Sequence, residues 1–318
     1  MRPPGEDVVV DFQISNELAT ALRQTAFPLV YRMVGSVSET EDIVQEGLLR
    51  MEVATRQGTS VENPHAFFVS VTTRLAIDHL RSARHKRELY PGEWLPEPVL
   101  QTGHGETVQE SVEMAESLSL AFLVLLETLS PLERAVFLLR QVFDYDYAEI
   151  APIVGKSELN CRQIFSRAKK HIAARRPRFE PSKEERERLA HQFFSTCKAG
   201  ALPELEAMLA DDVEFHGDGG GVAAAVAHPV VGASRVARLM LGLLTKAASY
   251  RLQLVESPVN GQPGLLIKTP DGALISIMSL QIFDGRIVAV HSIVNPDKLH
   301  HVGEVSDAAR LKKRPAGE

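Results

Sequence analysis

Apolar residues recur at helical spacing through the first ninety positions. Leu18, Leu22, Ala26, Leu29, Val30 and Met33 form one stripe before Gly35 interrupts it. The pattern restarts in "SVSETEDIVQEGLLRM", where Ser38 as N-cap and Glu41 three residues on have capping-box spacing. Gly47 inside this helix costs roughly 1 kcal/mol of propensity. After the polar stretch "RQGTSVENP", a third helix is predicted from about His65 to Lys86, with Phe68, Val71, Leu75, Ile77 and Leu80 turned inward. "YPGEWLPEPVLQTGHGE" has three prolines, three glycines and no sustained period, so it reads as a linker. It carries the only tryptophan, Trp94, which is expected to dock somewhere. Helical period returns in "ESLSLAFLVLLETLSPLERAVFLLRQVFDY" and runs to Arg176. "RRPRFEPSKEERERL" is a second linker, entering a helix near Ser182 that carries Leu189, Phe193 and Phe194.

Beyond Gly200 the period changes. "DDVEFHGDGGG" predicts a short strand and a glycine turn, and a helix follows from about Gly232 to Lys246. Four alternating or β-branched runs then end in Gly, Pro, Asn or Asp: "SYRLQLVESPVNG", "QPGLLIKTPDG", "ALISIMSLQIFDG" and "RIVAVHSIVN". The expected architecture is two all-α lobes followed by an α+β domain with a curved antiparallel sheet. The boundaries fall at 12–90, 91–112 (linker), 113–178, 182–302 and 303–318, the last a polar tail expected to be disordered.

"DYAEIAPIVGKSELNCRQIFSRAKKHI" holds two short apolar-periodic segments around one glycine. Tyr147, Ile150, Ala151 and Val154 make the first apolar face, Gly155 supplies a left-handed turn, and Ser157 is placed to cap the next helix. On that helix Cys161, Phe165, Ala168 and Ile172 fall on the inner side. Ser157, Asn160, Arg162, Gln163, Ser166, Arg167, Lys169 and Lys170 fall on or near the outer one. This is helix-turn-helix geometry, and the outer set can bond base edges and phosphates. A plain helical hairpin with a solvated face is the alternative.

Charge strengthens the DNA reading. The net charge is −6, yet Lys156 to Arg178 holds eight Lys/Arg against one acid, and Arg74 to Arg87 holds five against one. Two basic patches on an otherwise acidic chain suit a polyanion. The two cysteines, Cys161 and Cys197, have neither metal nor redox spacing. No signal-peptide or membrane-spanning run occurs, so a cytoplasmic protein is expected.

The order of these modules resembles that of bacterial sigma factors. "SETEDIVQEGLLRM" is similar to their core-polymerase-binding helix, "FFVSVTTRLAIDHLRSARHKR" to their −10-recognising helix, and "LETLSPLERAVFLLRQVFDYDYAEIAPIVGKSELNCRQIFSRAKK" to their −35-reading domain. The resemblance implies an alternative sigma factor whose partners are RNA polymerase core and promoter DNA. Asp42, Gln45, Glu46 and Arg50 would face the core. Asn63, Arg74, His79, Arg81, Arg84, Lys86 and Arg87 would serve the −10 side, with Thr59, Ser60 and Asn63 near a flipped base.

The remainder resembles the SnoaL-like, nuclear-transport-factor-like cone carried by SigJ-type extracytoplasmic-function sigma factors. "WLPEP" (94–98), "DGGG" (218–221) and "NPDKL" (295–299) carry that likeness, with Val222 where a cation is usual. It implies regulation in cis, in which Trp94, Leu95 and Pro96 dock near Asp218, Gly219, Gly220, Asn295, Pro296 and Asp297. A small-molecule ligand of this domain is a further expectation, and no cofactor or metal is expected. His216, Asp218, His228 and His291 are candidates to line a pocket. Two rivals follow: a ligand-sensing helix-turn-helix regulator independent of core, and a cone-fold enzyme of the isomerase or cyclase kind.

Overall fold

A computed structural model describes residues 15–59, 61–100, 118–173 and 182–306, with backbone only at 84–88. Ser60, the later linker, Arg175 to Arg178 and most of the C-terminal tail lie outside the described residues, as do the side chains of Arg84, Lys86 and Arg87. The chain forms two compact units. The first is 1–34, 38–81 and 131–165, and the second is 35–37, 82–130 and 166–318.

The first unit holds α1 (Asn16–Val34), α2 (Val37–Arg56) and most of α3 (Pro64–Glu88). Leu22, Ala26, Leu29, Val30 and Met33 of α1 are buried, as the stripe predicted. On α3 the inward set is Phe68, Val69, Thr72, Thr73, Ala76, Ile77 and Leu80, with Val71 and Leu75 only half-buried. Helix α2 starts at Val37, so Ser38 already lies in its first turn rather than at the N-cap position. The first-turn donors are met instead by Glu97: Ser36 donates to its Oε1 at 2.8 Å and the Val37 N–H to its Oε2 at 2.7 Å. Those three residues belong to the second unit. A carboxylate at a helix N-terminus is favoured by both the free N–H groups and the helix dipole.

Gly47 proves to be a packing residue. A Cβ there would sit 2.7 Å from Thr72 Cγ2 and 3.1 Å from Phe68 Cε2. Thr72 cannot swing away, because it is buried and its hydroxyl donates to the Phe68 carbonyl at 2.8 Å. The low propensity of this glycine therefore offsets a close α2–α3 approach.

Four helices follow along the chain: α4 (Leu120–Leu126), α5 (Pro131–Gln141), α6 (Tyr147–Val154) and α7 (Glu158–Ala173). By its contacts α4 groups with the second unit, and α5 and α6 with the first. Within the first unit α1 packs on α5, where buried Arg134 donates to the Met33 carbonyl. Arg32, 2% exposed, lies 5.5 Å from the Phe143 ring centre.

The second unit contains α8 (Lys183–Ala199), α9 (Leu202–Met208), β1 (Leu209–Asp218), β2 (Val230–Val231) and α10 (Ala233–Ser249). Strands β3 (Gln253–Val259), β4 (Gln262–Lys268), β5 (Leu274–Phe283) and β6 (Arg286–Ile293) follow. The sheet order is β2-β1-β6-β5-β4-β3. The β3–β6 meander is antiparallel as expected, while β1 joins β6 in parallel, making the sheet mixed. Phe193, Phe194, Val213, Phe215, Met240, Leu265, Met278 and Val290 form its core between helices and sheet. Each such buried side chain contributes about 1.5–3 kcal/mol.

Gly47→Ala is expected to destabilise the chain by about 1–3 kcal/mol in denaturant unfolding, although alanine is the better helix former. An unchanged or raised midpoint would contradict the packing role.

Candidate functional site

The reading head is built as its local sequence dictates. Asp146 and Glu149 close a capping box on α6, with Glu149 N–H to Asp146 Oδ1 at 3.0 Å and Asp146 N–H to Glu149 Oε2 at 2.8 Å. Gly155 ends α6 at φ 66°, a left-handed conformation that glycine adopts without Cβ strain. Ser157 Oγ then accepts from the Asn160 N–H at 3.3 Å and opens α7. The inner side of the pair is Ile150, Ile153, Cys161, Ile164, Ala168 and Ile172, all buried. Phe165, half-buried, stacks on Phe137 at 6.0 Å and meets the edge of Tyr147 at 6.2 Å. Ile153 and Ile164 were absent from the predicted stripes.

Ser157, Arg162, Gln163, Ser166, Arg167, Lys169 and Lys170 are exposed, and Asn160 is half-buried. Arg162 lies 4.5 Å from the Tyr147 ring centre and 3.7 Å from Glu158, which orients its guanidinium along α7.

The −10 candidates are differently placed. Arg74 donates its Nε–H to the Ile153 carbonyl at 2.9 Å and a terminal N–H to the Pro152 carbonyl. A cation on the last carbonyls of α6 complements that helix end. His79 Nε2 sits 3.1 Å from Glu39 on α2, and Arg81 3.1 Å from Asp78. Asn63 Oδ1 accepts from the Ala66 N–H at 3.0 Å and so caps α3. Arg74 thus has two donors engaged by carbonyls of α6, while Arg81 is paired within its own helix.

On α2, Asp42, Gln45 and Arg50 are exposed and Glu46 is half-buried. Gln45 accepts from Arg23, and Arg50 Nε–H donates to Glu46 at 2.8 Å. The same face carries Leu49 and Val53, 49% and 50% exposed. Sequence reasoning missed this pair. Its signal was two apolar residues off the stripe formed by Ile43, Val44, Gly47 and Met51.

The linker is held in a clasp within the second unit. Asp218, at the end of β1, is fully buried. Its Oδ1 accepts from Tyr90 Oη at 2.6 Å and the Gly220 N–H at 3.0 Å. Its Oδ2 accepts from the Leu95 N–H at 2.8 Å and Lys298 Nζ at 2.6 Å. Lys298 also donates to the Leu95 carbonyl, with its ammonium 4.2 Å from the Trp94 ring centre and 4.9 Å from that of Tyr90. Asn295 Nδ2–H donates to Tyr90 Oη at 2.8 Å, and Asn295 Oδ1 accepts from the Asp297 N–H. Gly220, at φ 61°, leaves room for Asn295: a Cβ would sit 2.3 Å from its Nδ2. Burial first, then the hydrogen bond and charge of Asp218, push the Tyr90 phenol well above its usual range.

Trp94, Leu95 and Asp218 thus lie together around Lys298. Trp94 also lies where a Cβ on Gly35 would project, 2.9 Å from its ring edge. The cation of the clasp is Lys298, within "NPDKL", a role its local sequence does not announce. Tyr90 and Glu97 were missed because their partners lie 128 and 61 positions away.

Beside the clasp, His216 Nδ1 is 2.7 Å from Glu93 and Nε2 is 3.0 Å from Glu214, and its ring stacks on His291 at 5.1 Å. Burial pulls His216 toward its neutral form, but the hydrogen bonds and charges of Glu93 and Glu214 outweigh it, so its pKa is raised. Full burial and then the charge of His216 push His291 down to about 3.

The two groups do not share a pocket with Asp218 and His228 as the sequence suggested. Among the described residues, no group of three or more His, Cys, Asp or Glu side chains could hold a metal, and no helix is long and apolar enough to cross a membrane.

Because the His216 pKa is raised in the folded chain, its pairing with Glu93 contributes fully below the ordinary value of 6.5 and is lost as pH rises through the folded value. An NMR titration of its ring should give a midpoint above 6.5 that falls in Glu93→Gln. A midpoint at or below 6.5 in the unaltered chain would contradict the arrangement.

Known proteins share this layout. The Sigma-70 region 2 model matches residues 18–86, and the Sigma-70 region 4 model matches 119–172. ECF RNA polymerase sigma factor SigJ of Mycobacterium tuberculosis (strain ATCC 25618 / H37Rv) is 35% identical over 292 residues, 87% of this chain and 91% of that one. Probable ECF RNA polymerase sigma factor SigI of the same species (strain CDC 1551 / Oshkosh) is 31% identical over 280 residues, 85% of this chain and 90% of that one. The crystal structure of Mycobacterium tuberculosis extracytoplasmic function sigma factor SigJ superposes with a TM-score of 0.72 at 31% identity, covering 93% of this chain and 99% of that one. With two sigma regions in order and a relative that aligns through the C-terminal domain, this chain belongs to the extracytoplasmic-function RNA polymerase sigma factors, alternative sigma factors that direct transcription from promoters.

Proposed function

We propose that this sigma factor is regulated in cis by its C-terminal domain, acting on the linker between the two DNA-reading lobes. The observation that carries the reading is the clasp: one buried carboxylate takes four donors, two of them from linker residues Tyr90 and Leu95. The lobes at 12–90 and 113–178 recognise the promoter, and residues 182–302 set how the segment joining them is held. The activity is recognition; the polymerase carries out the chemistry, in the cytoplasm.

The core polymerase docks on α2 through Asp42, Gln45, Glu46 and Arg50, with Leu49 and Val53 as the apolar centre of the patch. Apolar anchors inside a polar rim match the anatomy of protein interfaces. On the −35 side, Arg162, Gln163, Arg167 and Lys170 meet base edges and phosphates, joined by Ser157, Asn160, Ser166 and Lys169. On the −10 side, Arg81, Arg84, Lys86 and Arg87 meet phosphates, while Asn63, Arg74 and His79 first have to leave the partners they hold here.

Binding of the purified full-length chain to RNA polymerase core tests the first contact. Leu49→Asp with Val53→Asp is expected to weaken it at least about tenfold, the equivalent of ~1.4 kcal/mol. Arg167→Ala is expected to leave core binding intact and cost about 1–3 kcal/mol in promoter binding by the holoenzyme. Full core affinity in the double variant would remove α2 from the interface.

A further inference from the structure

The second unit encloses a cavity of about 530 Å³ between the inner face of the sheet, α10 and the loop at 222–226. That volume is in the range of roughly 300–1,000 Å³ that holds small molecules. Strand alternation decides what lines it. Phe215 and Gly217 of β1 point in, so His216 between them faces the opposite side; Ser292 of β6 points in, so His291 does not. His216 and His291 are therefore on the outer face, and among the described residues the cavity wall carries no His, Asp or Glu.

The wall instead fixes the chemistry of an occupant. Leu239, Leu243 and Ala247 of α10 face Ile267, Ile275 and Met278 across the space. The hydroxyls on the floor are those of buried Ser276 and Ser292. Among the described residues Lys246 is the one charged side chain in the lining, and it is exposed near the end of α10, next to Tyr250. Apolar walls with a single cation at the mouth suit a compact, mainly hydrocarbon molecule with one anionic group. A nucleotide, with several charges to neutralise, does not fit this lining.

We infer that this cavity is a binding site for a small apolar molecule carrying one acidic head, held by burial of its hydrocarbon body and by Lys246 at the mouth. The inference deepens the regulatory reading and rests on it for its biological meaning. Gly217 in the floor is followed directly by Asp218, Val222 in the wall directly follows Gly221, and Val294 directly precedes Asn295. An occupant would touch the chain on both sides of the clasp residues. Among the described residues no carboxylate or imidazole lines it, and the inference is of a binding site.

Two fluorescent probes test this on the full-length chain: neutral N-phenyl-1-naphthylamine and its sulfonated analogue 8-anilino-1-naphthalenesulfonate. Both are expected to bind saturably, one per chain. Ala247→Phe, which fills the cavity, and Ala225→Phe, at its exposed rim, should each weaken both probes at least about tenfold. Lys246→Ala should weaken the sulfonate several-fold and leave the neutral probe unchanged. The rim variant retains the fold even where the interior one does not, as a thermal melt would show. Absence of saturable binding, or binding unaffected by Ala225→Phe in a folded chain, overturns the site. Equal response of the two probes to Lys246→Ala overturns the acidic head. Failure of regulation is read separately, in promoter output, and leaves probe binding untouched.

Discussion

A carboxylate with no exposure to water has to be met by donors, because an uncompensated buried charge costs several kcal/mol. Asp218 meets that demand with a hydroxyl, two backbone N–H groups and an ammonium. These donors come from the linker, the glycine turn and the segment after β6, so satisfying one side chain fixes three parts of the chain. Lys298 is bound by the same constraint. Its charge is buried between Asp218, the Leu95 carbonyl and the faces of Trp94 and Tyr90. Removing any member leaves another polar group stranded, which couples the linker to the sheet.

From that anchor the linker is led onward. Glu93 pairs with His216, Glu97 closes the start of α2, and Val99 and Asn260 exchange hydrogen bonds at 2.8 and 2.9 Å. A segment with three prolines and no period gains its order from these side-chain partners rather than from secondary structure. The helical lobe relies on different means: close α2–α3 packing over Gly47 and the guanidiniums of Arg74 and Arg134 on helix-end carbonyls.

Much of this was legible in the sequence, and for identifiable reasons. Helices with a 3.6-residue apolar period, the Gly155 turn and the Ser157 cap announce themselves locally. So did the meander, whose four strands fall where alternation and turn residues put them. Long-range partnerships did not. Nothing near Ser36 signals that Glu97 will cap α2, and nothing near Tyr90 signals Asp218. The pocket assignment failed because it grouped His216 and His291 without a strand phase: alternation turns Phe215, Gly217 and Ser292 toward the cavity and the two histidines away from it. Leu49 and Val53 were visible as off-stripe apolar residues, but only their exposure in the fold shows that none of the described residues covers them fully.

The most direct test of the account is promoter-specific transcription by core polymerase reconstituted with the full-length chain or with Lys298→Met, at matched core binding. Methionine keeps the length of the side chain and removes the charge that Asp218 requires. If the clasp governs the sigma lobes, the variant's output differs several-fold from the original's, and its single tryptophan, Trp94, reports a more solvent-exposed environment. Equal transcription from a variant whose Trp94 emission shows an open clasp would contradict regulation through the linker.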